Sequence, residues 1–153
     1  MLPRVYEDQD CSIARALEAV GERWTLLIVR EALNGTRRFD EFQSRLGIAR
    51  NVLTVRLQRL VEEGILERGP YQQRAARVEY LPTRKGQELL PVTLALLAWG
   101  DRYYADPVEG LPVVLRHAPC GGDLSPRTVC SCCGGEATAA TVSTRIDRTR
   151  SPA

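Results

Sequence analysis

The sequence predicts an α+β fold that is mainly helical, with a small Cys/His-rich appendage, and three observations predict it. Residues 12–63 hold several segments with apolar residues at helical spacing, separated by breaks that contain glycine. Residues 65–81 hold two short β-rich runs around a polar loop. Residues 111–140 contain the single His, four of the five Cys and few large apolar residues, so they predict an appendage rather than part of a core.

The 153-residue chain is predicted to form one domain over residues 1–110, a Cys/His tail over 111–140 and a polar, flexible end over 141–153. No apolar run is long enough to span a membrane, and the first residues lack the apolar segment of a secretion signal. We therefore expect a cytoplasmic protein without membrane contact. Because such a compartment is reducing, we expect the cysteines to be metal ligands or reactive thiols rather than to form structural disulfides.

The first two helices are marked by apolar spacing and by glycine. Ser12 is a suitable cap for a first helix, which Gly21 breaks. A second apolar stripe begins at Trp24 and ends at Asn34-Gly35, a strong stop signal.

Residues 36–85 predict a helix-turn-helix followed by a wing. A short amphipathic helix, Phe39 to Leu46, stops at Gly47, and a second helix runs from Arg50 to Glu63. Two β-rich runs, 65–68 and 78–81, then flank a loop that carries Arg and Gln. This order is typical of a winged helix, in which one helix enters the DNA major groove and a basic loop lies beside it.

The charge distribution agrees with DNA binding. The whole chain has a formal net charge of +2, but residues 36–85 hold 11 Arg or Lys against 6 Asp or Glu, a local charge of +5. Such a local excess is what a phosphate backbone attracts. Charge alone would equally fit a solvated surface.

The second of these helices is the candidate recognition helix. Its leucines Leu53, Leu57 and Leu60 share one face and are predicted to be core. The opposite face carries side chains that can contact adenine or the thymine methyl group: Asn51, Thr54, Val55 and Gln58. Three arginines are predicted to hold phosphates: Arg50, Arg56 and Arg59. The alternative for Asn51 is a helix cap or turn residue.

Further DNA contacts are predicted around this helix. In the wing loop 71–77, the candidates are Gln73, Arg74 and Arg77, unless the loop touches nothing. Arg37 and Arg38 open the preceding helix and are candidate phosphate ligands, although Arg38 also has Glu41 as a potential partner.

A last long helix is predicted from a cap at Thr83 to about Tyr104, with Pro91 kinking or restarting it. Its apolar stripe is too large for one small domain, and the first helix offers a matching apolar face. An isologous contact between two copies would cover both faces, and the predicted interface residues of such a homodimer are Ile13, Leu17, Leu90, Leu94, Leu97 and Trp99. The alternative is that the apolar face of this helix packs against its own domain.

The tail repeats a ligand pattern. It reads His117-x-x-Cys120-Gly, then Cys130-x-x-Cys133-Gly. Nine residues lie between Cys120 and Cys130. This spacing is typical of a zinc ribbon and predicts a structural Zn²⁺ that stabilises a segment with little core. Free thiols or a disulfide remain alternatives, and Cys132 is the spare thiol.

Over about residues 10–105, the chain resembles the HxlR family of bacterial transcription regulators. The resemblance rests on a Cys before the first helix, Gly-x-x-Trp at 21–24, Arg-Phe at 38–39, Asn-x-Leu-Thr-x-Arg-Leu at 51–57 and Trp-Gly at 99–100. It implies a homodimeric winged helix that binds a near-palindromic operator. It also implies that Cys11 is a candidate sensor of oxidants or electrophiles, the alternative being a small buried residue at the dimer contact.

We therefore expect a sequence-specific transcriptional regulator that binds double-stranded DNA and responds to an unidentified small-molecule or redox effector. We do not expect an enzyme, because no Ser/His/Asp, paired-carboxylate or phosphate-loop arrangement occurs. A thiol–disulfide enzyme using Cys130 and Cys133 is disfavoured, since no βαβ pattern precedes them. The main alternative is a zinc-dependent protein-interaction module built on a winged helix.

Overall fold

The structure is a computed structural model that describes Tyr6 and residues 11–69, 78–105 and 113–144. The chain divides into two compact units, Met1–Leu97 and Ala98–Ala153, which are described separately. Within the described residues, no helix has the length and apolar character needed to cross a membrane.

The mainly helical α+β architecture is confirmed. The helices are α1 Ser12–Val20, α2 Thr25–Leu33, α3 Phe39–Leu46, α4 Arg50–Glu62, α5 Arg84–Gln87 and α6 Leu90–Tyr104, and the strands are β1 Leu66–Arg68 and β2 Tyr80–Pro82. The two strands pair antiparallel, with Glu67 opposite Leu81. Helix α6 crosses the division between the units.

The helix-turn-helix has the predicted bounds to within one residue. Gly47 ends α3 in the left-handed conformation, with φ of 60°, which a glycine adopts without steric cost. Helix α2 begins one residue later than predicted, at Thr25, because Trp24 itself has a left-handed φ of 78°.

The predicted long last helix is two helices. The Thr83 hydroxyl accepts a hydrogen bond from the backbone N–H of Gly86 and caps the short α5. The break falls just before Leu90, so Pro91 lies in the first turn of α6, where its missing N–H leaves no helical hydrogen bond unmade. The predicted restart at this proline is therefore confirmed.

The core of the first unit fixes the position of α4. Its buried residues are Val20, Ile28, Val29, Ala32, Phe42, Ile48, Leu53, Leu57, Leu60, Ile65 and Leu66. The Phe42 ring packs edge-on against Tyr80 of β2, with ring centroids 6.5 Å apart. This contact joins the helix-turn-helix to the wing strands.

The wing continues beyond the two strands. Residue Arg38 pairs with Glu79 in an isolated antiparallel bridge, and the Tyr80 N–H donates to the Arg37 carbonyl at 2.8 Å. The start of α3 is thereby tied to β2. The predicted wing loop, with Gln73, Arg74 and Arg77, lies outside the described residues.

The described part of the second unit beyond α6, residues 113–144, has no buried residue. All its side chains are exposed except Leu115 and Ala137, which are half-buried. Its regular features are two isolated antiparallel bridges, Arg116–Asp123 and Val129–Glu136.

Candidate nucleic-acid interface

The outer face of α4 is exposed as the helical spacing predicts. Asn51, Thr54, Val55 and Gln58 are all exposed, whereas Leu53, Leu57 and Leu60 on the opposite face are fully buried. Val55, an apolar residue, is 58% exposed. Because burial of one face orients the other, α4 presents its polar and methyl-bearing side chains outward as a set.

Two of these outer side chains already have partners within the helix. The Thr54 hydroxyl donates to the Arg50 carbonyl at 2.8 Å, and the Gln58 amide donates to the Glu62 carboxylate at 2.9 Å. Asn51 does not cap α4, since the N-cap residue is Ala49 and no side chain caps this end. Asn51 therefore lies in the first turn of α4 with its side chain exposed.

The three arginines of α4 lie in different surroundings. The Arg50 guanidinium lies 4.9 Å from the centroid of the Phe39 ring, a cation–π contact, and Arg59 pairs with Glu63 at 2.6 Å. The Arg56 side chain is only 23% exposed and pairs with Glu22 at 2.7 Å. Arg56 is thus directed toward the turn between α1 and α2, and its phosphate contact stays a prediction.

Helix α3 begins with a side-chain hydrogen-bonding arrangement of its own. The Glu41 carboxylate accepts from the backbone N–H groups of Arg38 and Arg37, at 3.2 and 3.3 Å. These hydrogen bonds lower the pKa of Glu41 below its ordinary value, and the bond from the Arg38 N–H has the larger effect.

The two arginines at this helix start face different partners. The Arg37 guanidinium donates to the Ala32 carbonyl at 2.6 Å, and Arg38 lies 3.9 Å from the Glu79 carboxylate. The predicted phosphate contacts of both arginines stay predictions.

A buried acid was not predicted from sequence. Glu31 is buried on α2, where it pairs with Arg30 at 2.8 Å and with Arg45 of α3 at 3.7 Å, and accepts from the Thr36 hydroxyl at 3.4 Å. These bonds tie α2 to the helix-turn-helix. The available signal was a single acid within the apolar stripe of α2.

The predicted dimer residues are accessible in the single chain. Ile13, Leu17, Leu90 and Trp99 are exposed, and Leu94 and Leu97 are half-buried. Cys11 is exposed at the N-cap position of α1, with no side-chain cap bond.

The predicted zinc ligands are brought together as two pairs. His117 Nδ1 lies 3.3 Å from Cys120 Sγ. Cys130 accepts hydrogen bonds from the backbone N–H groups of Cys133 and Cys132 and contacts the Cys133 thiol, and these interactions lower the pKa of Cys130. Within the described residues, no three His, Cys, Asp or Glu side chains are grouped closely enough to hold a metal ion. The zinc site therefore stays a prediction.

Known proteins share this architecture. The model of the HxlR-like helix-turn-helix family matches residues 19–107. An uncharacterised HTH-type transcriptional regulator of Mycobacterium tuberculosis is 49% identical over 131 residues, which are 86% of this chain and 82% of that protein.

Two solved structures are also similar. PA1607, assigned as a transcription factor, is 36% identical with a TM-score of 0.82, covering 94% of this chain and 98% of that one. The redox regulator HypR in its reduced form is 30% identical with a TM-score of 0.57, covering 65% of this chain and 98% of that one. The chain belongs to the HxlR-like helix-turn-helix family, and its general role is that of a transcriptional regulator.

Proposed function

We propose that the protein is a homodimeric, sequence-specific regulator that binds a near-palindromic operator through α4. The observation that carries this proposal is the two-faced character of α4, which buries three leucines and exposes Asn51, Thr54, Val55 and Gln58. Amide side chains pair with adenine, and methyl groups contact thymine. The outer face of α4 is therefore suited to reading base edges in the major groove.

The phosphate contacts are proposed from the basic residues around α4. Arg50, at the first turn, has the advantage of the positive end of the helix dipole. Arg59 is half-exposed and must break its ion pair with Glu63 to bind a phosphate. Arg56 is less exposed and must break its ion pair with Glu22, so we expect it to contribute less to DNA affinity than Arg50 or Arg59.

A homodimer is proposed because apolar side chains of α1 and α6 lie exposed in the single chain. An isologous contact would cover them and place two copies of α4 about 34–36 Å apart, one turn of DNA. The change Ile13→Glu removes an apolar side chain that is 72% exposed, so it should leave the monomer folded. Sedimentation should then detect monomers with much weaker operator binding.

Val142→Glu is the matched control for this test, because Val142 is exposed outside α1 and α6. It should stay dimeric. An Ile13→Glu protein that remains dimeric would contradict the proposed interface.

A redox response is proposed at Cys11, which is exposed at a helix N-terminus as oxidant-sensitive thiols commonly are. The similar protein HypR is a redox regulator. Cys11→Ser should keep DNA binding under reducing conditions and lose its change on treatment with an oxidant. A response that persists in Cys11→Ser would point to other thiols or to a small-molecule effector.

Base reading is tested by Asn51→Ala on an operator selected from random double-stranded DNA. The loss should be about 1–3 kcal/mol on the operator and small on random DNA. Asn34→Ala is the control, since Asn34 is also exposed but lies at the end of α2. Equal losses on both DNAs would remove Asn51 from base reading.

A salt series separates DNA binding from the protein-interaction alternative. Operator affinity should fall steeply as salt rises, because phosphate contacts release counterions. Failure to bind any DNA would favour an interaction module.

A further inference from the structure

The tail contains one hairpin followed by a second of the same design. In the first hairpin, the Leu124 N–H donates to the Leu115 carbonyl at 2.9 Å, and the His117 N–H donates to the Gly122 carbonyl at 2.8 Å. The Gly121 N–H then donates back to the His117 carbonyl at 2.7 Å, which closes a tight turn.

The second hairpin repeats each of these bonds with every partner displaced by 13 residues. The Ala137 N–H donates to the Thr128 carbonyl, and the Cys130 N–H donates to the Gly135 carbonyl, both at 2.8 Å. The Gly134 N–H donates to the Cys130 carbonyl, also at 2.8 Å. The two hairpins therefore share one backbone design, which neither a loose tail nor a pair of unrelated turns would be expected to have.

A glycine lies beside a cysteine sulfur atom in both hairpins. Gly121 and Gly134 have φ of 69° and 70°, a conformation that other residues adopt only with strain. A Cβ added at Gly122 would lie 3.5 Å from Cys120 Sγ, and one added at Gly135 would lie 3.3 Å from Cys133 Sγ. One sulfur atom of each hairpin, that of Cys120 or of Cys133, thus lies close to the backbone of a glycine.

The shared design places metal-binding donors at equivalent positions. His117 and Cys120 form the pair of the first hairpin, with 3.3 Å between Nδ1 and Sγ, and Cys130 and Cys133 form the pair of the second. Cys132 differs from these four, because its equivalent in the first hairpin is Pro119, which has no donor side chain.

Apolar burial does not explain why the two hairpins are formed. Residues 113–144 include no buried side chain, and only Leu115 and Ala137 are half-buried. Fixing a backbone costs conformational entropy, which a buried core normally offsets. A bound metal is a common alternative source of this stability in small segments.

We propose that the two hairpins together bind one structural Zn²⁺, with His117 and Cys120 from the first hairpin and Cys130 and Cys133 from the second. One nitrogen and three sulfurs complete a tetrahedral shell and leave no position for a substrate, so the site is structural. Each of the three thiols loses its proton on binding, and His117 binds as neutral imidazole. Because the described donors stand as two pairs rather than as one group, binding requires the hairpins to close on the ion. This inference does not depend on the proposed DNA contacts.

The ligand set is tested by metal analysis of the full-length protein, purified without metal-affinity resin. Wild type should hold about one zinc per chain. Cys120→Ser, Cys130→Ser, Cys133→Ser and His117→Ala should each lose most of it. His117→Cys should retain it, because a fourth thiolate completes the same shell.

Cys132→Ser is the matched control, since it removes a neighbouring thiol that has no equivalent in the first hairpin, and it should retain full zinc. Loss of zinc in Cys132→Ser together with retention in Cys133→Ser would overturn the proposed set. Zinc-free wild type would overturn the site unless metal binding can be restored, which a titration decides.

The titration adds Co²⁺ to metal-free full-length protein. Thiolate-to-cobalt absorption should saturate at about one equivalent in wild type and Cys132→Ser and be much weaker in Cys130→Ser. Operator binding by the same samples reports whether the first unit is folded. A folded, DNA-binding wild type that takes up neither Co²⁺ nor Zn²⁺ would refute the proposal.

Discussion

The winged-helix unit and the tail are ordered by different means. Among the described residues of the first unit, eleven buried side chains from α1, α2, α3, α4, β1 and adjoining turns form one core. In the described tail, 113–144, no side chain is buried and backbone hydrogen bonds define the two hairpins. Burial of apolar area is the dominant stabilising term in folding, so the first unit is expected to fold by itself. The tail is expected to need another source of stability.

This difference also separates what each unit offers to a partner. The core of the first unit orients α4, so that the side chains of its outer face are exposed together. The tail instead presents donor atoms at its turns. Four changes test this difference between the two units, and they follow in order of their expected effect on the stability of the winged helix.

Phe42→Ala should have the largest effect. The side chain is fully buried and packs on Tyr80, so truncation should lower the free energy of unfolding by about 3–5 kcal/mol. Urea denaturation followed by circular dichroism measures the loss. Leu124→Ala, at an exposed tail position, should change it by less than about 0.5 kcal/mol. Comparable losses in the two variants would mean that the tail is part of the same core.

Gly86→Ala should have the next largest effect. An added Cβ would lie 2.2 Å from the Ile65 carbonyl oxygen, so the α5 backbone must move away from Ile65, the residue before β1. Overpacking of this kind costs about 1–3 kcal/mol, measured by the same denaturation. Gln87→Ala, exposed on the same short helix, should be close to neutral. An unchanged Gly86→Ala protein would show that α5 is not tightly packed.

Glu41→Gln should have a smaller, pH-dependent effect. The pKa of Glu41 is depressed in the folded protein, so its carboxylate stabilises α3 fully above the ordinary value of 4.5. That contribution is lost as the pH falls through the lower folded pKa. The stability difference between wild type and Glu41→Gln should therefore disappear in acid. Glu67→Gln is the control for removing one negative charge, and a difference that persists in acid would argue against the capping role.

Metal removal should have no effect on the winged helix. A chelator should leave its melting temperature unchanged, while the amides of Leu124 and Ala137 lose their protection in hydrogen exchange. If both units lose stability together, the comparison fails and the tail supports the core. If neither changes, the hairpins are held without metal.

Much of the candidate interface was predictable because it depends on local spacing. The bounds of α3, the buried leucines of α4 and its exposed Asn51 follow from helical periodicity and from Gly47. The surroundings of Arg56 did not follow, since its partner Glu22 lies 34 residues earlier in the chain. No pattern within α4 indicates that one of its three arginines is held by another turn.

The sequence alone predicts the order of helices and strands, the two faces of α4 and the repeated His/Cys and Cys/Cys pairs of the tail. These features depend on periodicity and spacing along the chain, which are local properties. Three features emerged only from the fold: Glu31 of α2 is buried and pairs with Arg45 of α3, Trp24 adopts a left-handed conformation, and both tail hairpins share one hydrogen-bond design. The physical reason is that burial and strain depend on residues distant in sequence, and the hairpin bonds on a backbone geometry that spacing alone does not specify.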